Sequence, residues 1–170
     1  AGMGADVSDT DGNGKLDLAV SNFTHESTSV FRQSDQMLFD EQADAIGVGG
    51  PSRMRLKWGT VFFDADNDGD EDLMIVAGNI YDNAPLVEPS MTFAEQNLLY
   101  ENVGGGAFRD VSNTSGPALL DKKVSRGLAV ADLDSDGGLD FVVGNNGGPL
   151  QVGGNAAPGR GQFVGLWLEG

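Results

Sequence analysis

The sequence predicts an all-β fold built from repeated four-stranded sheets, and three observations lead to this prediction. An acidic motif followed by an apolar run occurs three times along the chain. Short runs typical of β-hairpins lie between its copies. The 170 residues include 26 glycines and 6 prolines, which indicates many tight turns. About four strands accompany each acidic motif, as in one blade of a β-propeller. We therefore predict a β-propeller fragment of about three blades.

The acidic motif reads D-x-D-x-[DN]-G-x-x-D and precedes three or four mostly apolar residues. Its copies are DTDGNGKLDLAV at 9–20, DADNDGDEDLMI at 64–75 and DLDSDGGLDFVV at 132–143. These starts are 55 and 68 residues apart, inside or slightly above the repeat length of propeller blades. Each copy is also preceded by a glycine five or six residues upstream. We expect a strand on either side of each acidic loop.

Two stretches between the loops predict β-hairpins. SVFRQSDQMLFDEQ and LLYENVGGGAFRDVS each carry an aromatic residue (Phe31, Tyr100), a turn, and a second aromatic eight positions later (Phe39, Phe108). Residues 93–102 come nearest to a helical pattern. The predicted blades span about 1–55, 56–124 and 125–152, the last being partial. Residues 153–161 read as a Gly-rich linker before a C-terminal strand or further segment at 162–170.

Composition limits the functions that this chain can have. The net charge is −16, with 26 acidic and 10 basic residues. Nucleic acid and anionic membrane both require a basic surface, so neither is an expected partner. The absence of cysteine excludes disulfides, zinc–thiolate sites and thiol nucleophiles. No apolar run reaches the roughly 18 residues of a membrane helix.

Each acidic motif has the pattern of a cation-binding loop. All-oxygen donors with several carboxylates favour Ca²⁺, whereas Mg²⁺ requires a tighter octahedron and Zn²⁺ would require His or Cys. Gly at position 6 permits the sharp turn, and position 7 would contribute its backbone carbonyl. The predicted ligands at positions 1, 3, 5, 7 and 9 are Asp9, Asp11, Asn13, Lys15 and Asp17; Asp64, Asp66, Asp68, Asp70 and Asp72; and Asp132, Asp134, Asp136, Gly138 and Asp140.

Two alternatives compete with this interpretation. An EF-hand shares D-x-D-x-D-G but needs Glu at position 12, where this chain has Val20, Ile75 and Val143. A solvated acidic loop would explain one copy, but three copies with the same glycine argue against it. Asn13 carries no charge, so we expect the first of the three sites to be the weakest.

The loops and hairpins resemble FG-GAP/VCBS repeats, which also form the propellers of integrin α-chains. The closer likeness is to the cartilage-acidic-protein (ASPIC/UnbV) group, carried by SDTDGNGKLDLAVSN, FDADNDGDEDLMIVAGN, ADLDSDGGLDFVVGNNG and LLYENVGGGAFRDVS. GQFVGLWLEG at 161–170 resembles the start of the ASPIC/UnbV segment. The resemblance implies a Ca²⁺-binding propeller. Closed propellers have at least four blades, so we expect a piece of a larger propeller, or one completed by another chain.

Other residues predict structural roles. His25 lacks a second His or a paired acid at motif spacing, so we expect it on a surface loop. Trp58 and Trp167 are expected in core or blade-interface packing, although aromatic residues of this kind could also line a sugar site. No motif of a hydrolase or a nucleotide-binding loop is present.

The sequence therefore predicts a calcium-binding, non-enzymatic segment that acts outside the cytoplasm in adhesion or assembly. One alternative is an accessory subunit whose other blades come from a neighbour. Another is part of a propeller lyase or hydrolase acting on carbohydrate. The expected partner is a protein, with a glycan as the second possibility.

Overall fold

The computed structural model describes residues 2–156 and contains three antiparallel β-sheets. Strands β1 (Gly4–Ser8), β2 (Asp17–Ser21), β3 (Ser29–Gln33) and β4 (Phe39–Glu41) form the first sheet in chain order. Strands β5 (Lys57–Phe63), β6 (Asp72–Ala77), β7 (Leu98–Asn102) and β8 (Phe108–Asp110) form the second. Strands β9 (Ser125–Ala131), β10 (Asp140–Asn145) and β11 (Gln151–Gly153) form the third. The all-β prediction is confirmed.

Short elements connect these strands. The three described α-helices each have four residues: α1 (Gly49–Ser52), α2 (Ala84–Val87) and α3 (Pro117–Leu120). Residues 93–102, which come nearest to a helical pattern in the sequence, end instead in strand β7. Strand pairing decides this segment, because Leu98, Leu99 and Tyr100 pair with strand β6 at the centre of the sheet.

The sheets lie side by side, with the first strand β5 of the second sheet in contact with β1 on one side and β9 on the other. One apolar cluster joins the first two sheets and includes Ala19, Val30, Phe62, Leu73 and Tyr100. A second cluster joins the second and third sheets, and includes Phe63, Met74, Val76, Leu119 and Val143. The central strand β6 is buried at all six residues because it contacts neighbours on both faces. This succession of sheets with shared apolar faces is consistent with a propeller fragment.

Three equivalent glycines, one in the first strand of each sheet, lie where neighbouring first strands pack. A Cβ on Gly4 would lie 2.1 Å from the Trp58 carbonyl oxygen, and a Cβ on Gly59 would lie 2.9 Å from Leu128 Cβ. A Cβ on Gly127 would meet nothing within 4 Å. Each glycine precedes its acidic loop by five residues. The glycine therefore permits close approach of the following sheet, and Gly127 has no such neighbour among the described residues.

Trp58 also joins the second and third sheets. Its Nε1 donates to the Gly78 carbonyl at 2.8 Å, and the Arg126 guanidinium lies 4.2 Å above its ring. Arg126 Nη1 donates to the same Gly78 oxygen at 2.8 Å. The predicted blade-interface role of Trp58 is confirmed. Trp167 lies outside the described residues, as does the segment 162–170.

A buried lysine lies at the start of strand β5, where the chain enters the second sheet. Lys57 is fully buried, and its Nζ donates to the carbonyls of Glu26, Ser52 and Arg55 at 2.7, 2.9 and 3.0 Å. Burial lowers its pKa to about 8, although the Glu95 carboxylate acts in the opposite direction. No sequence pattern predicted this residue, because two of its partners lie in irregular segments and the third, Ser52, ends the short helix α1.

The structure also changes the description of the C-terminal side. The predicted linker at 153–161 begins inside strand β11, whose last residue is Gly153. Asn155 is held by two hydrogen bonds, from its N–H to Asp140 Oδ1 at 2.7 Å and from its Nδ2 to the Ala65 carbonyl at 2.6 Å. The described part of this segment is therefore attached to the second and third sheets.

Glycine substitutions test the packing of the first strands. We expect Gly59→Ala to lower the free energy of unfolding by about 1–3 kcal/mol, because the new methyl group overlaps Leu128. Gly127→Ala is the matched control and should leave stability unchanged or slightly raised, since its Cβ would face open space. Urea denaturation of both variants measures the difference. Equal effects at the two positions would contradict the proposed role of the glycine.

Candidate metal centre

The three acidic loops share one backbone conformation. The position-6 glycines Gly14, Gly69 and Gly137 all have positive φ, at 82°, 98° and 87°. This agrees with the turn expected from the sequence. Position 4 is also left-handed, with Gly12, Asn67 and Ser135 at 72°, 56° and 64°. Sequence reasoning missed position 4 because its residue type changes from loop to loop.

The first aspartate of each loop binds the backbone of its own turn. Asp64 Oδ1 accepts from the Asp68 N–H and Oδ2 from the Gly69 N–H, both at 3.0 Å. The same pair of bonds occurs at Asp9, with 3.0 and 2.7 Å, and at Asp132, with 3.2 and 3.0 Å. These bonds keep the loop wound and partly offset the crowding of negative charge.

The ninth position ties each loop to the third strand of its sheet or to the residues just after that strand. Asp72 Oδ2 accepts from the Ala65 N–H at 3.0 Å, and Oδ1 accepts from the Asn102 N–H at 2.8 Å. Asp140 accepts from the N–H groups of Leu133 and Asn155 at 2.9 and 2.7 Å. All three position-9 side chains are buried: Asp17, Asp72 and Asp140. Position 9 thus has a structural role in addition to its predicted role as a ligand.

Asp17 has the equivalent bonds in the first loop. Its Oδ1 accepts from the Gln33 N–H at 3.0 Å, and its Oδ2 accepts from the Thr10 N–H at 3.3 Å. The Thr10 hydroxyl also donates to Oδ2. Thr10 has no hydroxyl counterpart in the other loops, where Ala65 and Leu133 follow the first aspartate.

Two of the three loops bring carboxylates together as a metal site requires. Within residues 2–156, the ligand atoms of Asp64, Asp66 and Asp72 lie within 4.8 Å of one another, and so do those of Asp132, Asp134 and Asp140. Asp9, Asp11 and Asp17 do not form a third cluster of this kind. In the first loop Asp11 Oδ2 lies 4.0 Å from Arg32 Nη1, so a basic side chain occupies its surroundings.

Asp66 is the least satisfied carboxylate of the second loop. Its Oδ1 is buried and has no hydrogen-bond partner. Burial raises the pKa of Asp66, and the neighbouring Asp68 carboxylate raises it further. Burial also raises the pKa of Asp72 to about 7. Crowded, partly desolvated carboxylates with an unpartnered oxygen fit a hard cation, which would supply the missing positive charge.

The remaining predicted ligands have other contacts. Position-5 oxygens accept from the N–H of position 7: Asn13 from Lys15, Asp68 from Asp70, and Asp136 from Gly138, each at 2.9 Å. They lie outside the two carboxylate clusters. The Lys15 ammonium pairs with Asp35. Coordination through the carbonyls of Lys15, Asp70 and Gly138 stays a prediction.

An asparagine connection between adjacent sheets was not predicted from the sequence. Asn102 Nδ2 donates to the carbonyl of Thr10 at 2.9 Å, which places the third strand of the second sheet against the first loop. Asn155 Nδ2 makes the corresponding bond to Ala65 in the second loop at 2.6 Å. Asn102 and Asn155 also donate their N–H groups to the position-9 aspartates. Each asparagine therefore links its own loop to the preceding one.

His25 lies on the surface, as predicted. Its Nε2 is 2.8 Å from Glu88 Oε2, and about half of its side chain is exposed. The pKa of Glu88 is lowered by hydrogen bonds from Ser90 and then from His25.

Comparison with known protein families finds a match to part of this repeat. Residues 88–143 match the family model of the FG-GAP-like repeat. This segment is similar to an FG-GAP-like repeat. The matched segment begins just after α2, between strands β6 and β7, and ends in strand β10, so it includes the loop of Asp132 to Asp140.

A relative supports the same assignment. A segment of 56 residues is 40% identical to Cartilage acidic protein 1 from Xenopus tropicalis, covering 33% of this chain and 8% of that protein. The chain therefore spans a small part of the length of this relative. The two matches confirm the predicted resemblance to FG-GAP repeats of the cartilage-acidic-protein group. Within residues 2–156 no helix combines the length and apolar character needed to cross a bilayer.

Two substitutions, compared in the presence of a chelator, distinguish aspartates with a structural role from aspartates predicted to act mainly as metal ligands. Asp72→Ala leaves one buried and one partly buried N–H group unpaired, so we expect it to lower the free energy of unfolding by about 2–4 kcal/mol. Asp66→Asn removes a crowded charge and should change it by no more than about 1 kcal/mol, toward greater stability. Asp70→Asn, at an exposed position, is the control. Chemical denaturation measures all three, and equal losses for Asp72→Ala and Asp66→Asn would contradict this division of roles.

Proposed function

We propose that this chain is a calcium-stabilised, non-enzymatic propeller segment that acts outside the cytoplasm in adhesion or assembly. The observation that carries the proposal is the recurrence of one carboxylate cluster in two successive sheets, at Asp64, Asp66 and Asp72 and again at Asp132, Asp134 and Asp140. In the first cluster, one buried Asp66 oxygen has no hydrogen-bond partner. A cation bound there would offset the repulsion between carboxylates.

Calcium fits these clusters better than other cations. Carboxylate oxygens in a flexible loop suit Ca²⁺, which accepts six to eight oxygen ligands, whereas Mg²⁺ keeps several waters. The clustered carboxylates would hold the ion, with Asp68 and Asp136 and the carbonyls of Asp70 and Gly138 as further proposed ligands. The first loop should bind most weakly, because Asn13 is uncharged and Arg32 lies beside Asp11.

The proposed setting follows from the availability of calcium. Extracellular calcium modules bind with dissociation constants of roughly 10⁻⁴ to 10⁻³ M, which suffices where calcium is abundant. The net charge of −16 adds to the benefit of a bound cation, because self-repulsion opposes the compact state. FG-GAP-like repeats and a relative named for cartilage support a location outside the cytoplasm.

Thermal melting with and without calcium tests this proposal. A ligand that binds only the folded chain stabilises it by about 2.7 kcal/mol per site at 100 times its dissociation constant. We therefore expect excess Ca²⁺ to raise the Tm by at least about 5 °C over the same protein in chelator with Mg²⁺. Circular dichroism should report a β-type spectrum.

Matched variants make the melting test specific. Asp66→Asn and Asp134→Asn should each remove part of the calcium-dependent rise in Tm, whereas Asp11→Asn in the first loop should remove less. Asp35→Asn, an exposed carboxylate outside the loops, is the control. A Tm independent of calcium in the unmodified chain would contradict the proposal.

A second candidate function is assembly with further blades supplied by a neighbour. The first sheet exposes Val7 (51% exposed), whose equivalent Phe62 in the second sheet is buried against the first. In the third sheet, Val152 is 56% exposed and pairs with Val142. The residue equivalent to Val142 in the second sheet is Met74, which is buried against the third sheet. Each terminal sheet thus presents an apolar face of a kind that is covered elsewhere in this chain.

Mass measurement tests the assembly proposal. In calcium, we expect self-association to a mass of at least about twice the 17.7 kDa of the chain at high concentration. Val142→Lys should abolish it, because it places a charge on the open face of the third sheet. Leu86→Lys, at an exposed residue of α2, is the control. A monomer at every concentration, measured by light scattering after gel filtration, would contradict association of copies through these faces.

A further inference from the structure

One hydrogen bond joins the second acidic loop directly to the third. Asn67 Nδ2 donates to the Gly137 carbonyl oxygen at 2.9 Å, between residues that are 70 positions apart in the chain. Asn67 is position 4 of its loop and lies between the predicted ligands Asp66 and Asp68. Gly137 is position 6 of its loop and lies between the predicted ligands at positions 5 and 7. The bond therefore connects two backbone segments that each stand between two predicted ligands.

The first loop cannot form a bond of this kind with the second. Its position 4 is Gly12, which has no side chain to donate. Asn102 connects the first loop to the second sheet through the Thr10 carbonyl, and Asn155 makes the equivalent connection from the third sheet to the second loop. The bond from Asn67 is additional to this repeated arrangement. It distinguishes the second and third loops as a pair.

Both ends of this bond are next to groups that a cation would hold in place. Asp66 belongs to the carboxylate cluster of the second loop, and its buried Oδ1 has no hydrogen-bond partner. A cation there would fix the residue directly before Asn67. In the third loop, the proposed carbonyl ligand at Gly138 directly follows Gly137. One side chain and its two neighbouring peptide groups thus form a short connection between the two candidate sites.

We propose that the second and third loops bind their cations as a coupled pair, with Asn67 as the positioning residue that links them. This inference rests on the calcium binding proposed above. An ordered second loop holds the Asn67 amide against the Gly137 carbonyl, so the third loop loses less conformational freedom when it binds its own ion. Linkage requires the effect to be equal in the opposite direction.

Electrostatics act on the same pair in the opposite sense. A cation in one cluster weakens the negative potential that attracts a second cation to the other cluster. This repulsive contribution does not depend on Asn67, because the amide side chain carries no charge. Replacing Asn67 with another neutral residue therefore changes the contribution of the hydrogen bond and leaves the contribution of charge as it is.

Two glycine substitutions form a matched pair for the test. Asn67 and Ser135 both occupy position 4 of their loops, with φ values of 56° and 64°. Glycine adopts such angles without strain, so either substitution should preserve the turn. Asn67→Gly removes the bond to Gly137. Ser135→Gly is the control, because Ser135 is exposed and its hydroxyl has no hydrogen-bond partner among residues 2–156.

Calorimetric titration with Ca²⁺ measures the coupling. Asn67→Gly should lower the mean calcium affinity of the second and third sites by at least about twofold, the smallest effect expected for the loss of one hydrogen bond. It should also lower the Hill coefficient of the titration, since the two sites would then fill more independently. Ser135→Gly should leave both quantities unchanged.

A chain with a weakened second site separates coupling from a local effect on the third loop. Asp66→Asn removes one carboxylate from the second cluster. In this background, Asn67→Gly should cause little further loss of calcium affinity, because there is no occupied second loop to transmit its order. The same loss with and without Asp66→Asn would mean that Asn67 acts on the third loop alone, and would overturn the coupling.

Two further outcomes have distinct meanings. If the unmodified chain and Asn67→Gly bind calcium with identical titrations, this inference is wrong and the proposed function stands. If the unmodified chain binds no calcium, the proposed function and this inference fail together. Circular dichroism in chelator should give the same β-type spectrum for every variant. Loss of that spectrum in Asn67→Gly would show that the residue is needed for folding, and would also overturn the inference.

Discussion

The aspartate at position 9 of each acidic loop is the interaction on which the rest of this structure depends. Each one begins the second strand of its sheet, and each uses both carboxylate oxygens to accept backbone N–H groups. One of these groups belongs to the loop and the other lies on, or just after, the third strand. An apolar side chain could satisfy neither donor at a buried position. The acidic loop and the strand order are therefore fixed together.

This interaction extends from sheet to sheet through the asparagine side chains. Asn102 donates its N–H to Asp72 and its side-chain amide to Thr10 of the preceding loop, and Asn155 repeats the arrangement with Asp140 and Ala65. A distortion of one loop would therefore also displace the asparagine of the next sheet. The repeat thus stabilises the first and second loops from two sides, their own sheet and the following one.

Charge is distributed unevenly among the three loops, and this has consequences for function. The second loop has the most concentrated charge, a buried oxygen without a partner at Asp66, and a raised pKa at Asp72. The repulsion between carboxylates is weaker in the first loop, because Asn13 is uncharged and Arg32 lies near Asp11. Three copies of one motif therefore differ in how much they would gain from a cation. The fold can be held in part by backbone hydrogen bonds, with the cation as an additional contribution.

The sequence by itself determined the repeat, the all-β class, the hairpins and the residue types of the acidic loops. The apolar runs after the acidic motifs and the glycines at fixed offsets are local signals, so they can be recognised without the fold. The tertiary structure decided which carboxylates lie close together. It also decided that Asp17 and its equivalents are buried and bind backbone N–H groups, and that Lys57 donates to three carbonyls. Several of these outcomes depend on groups that are far apart in the chain, such as Asp72 and Asn102 at 30 residues and Lys57 and Glu26 at 31, which become neighbours only when the strands and sheets pack.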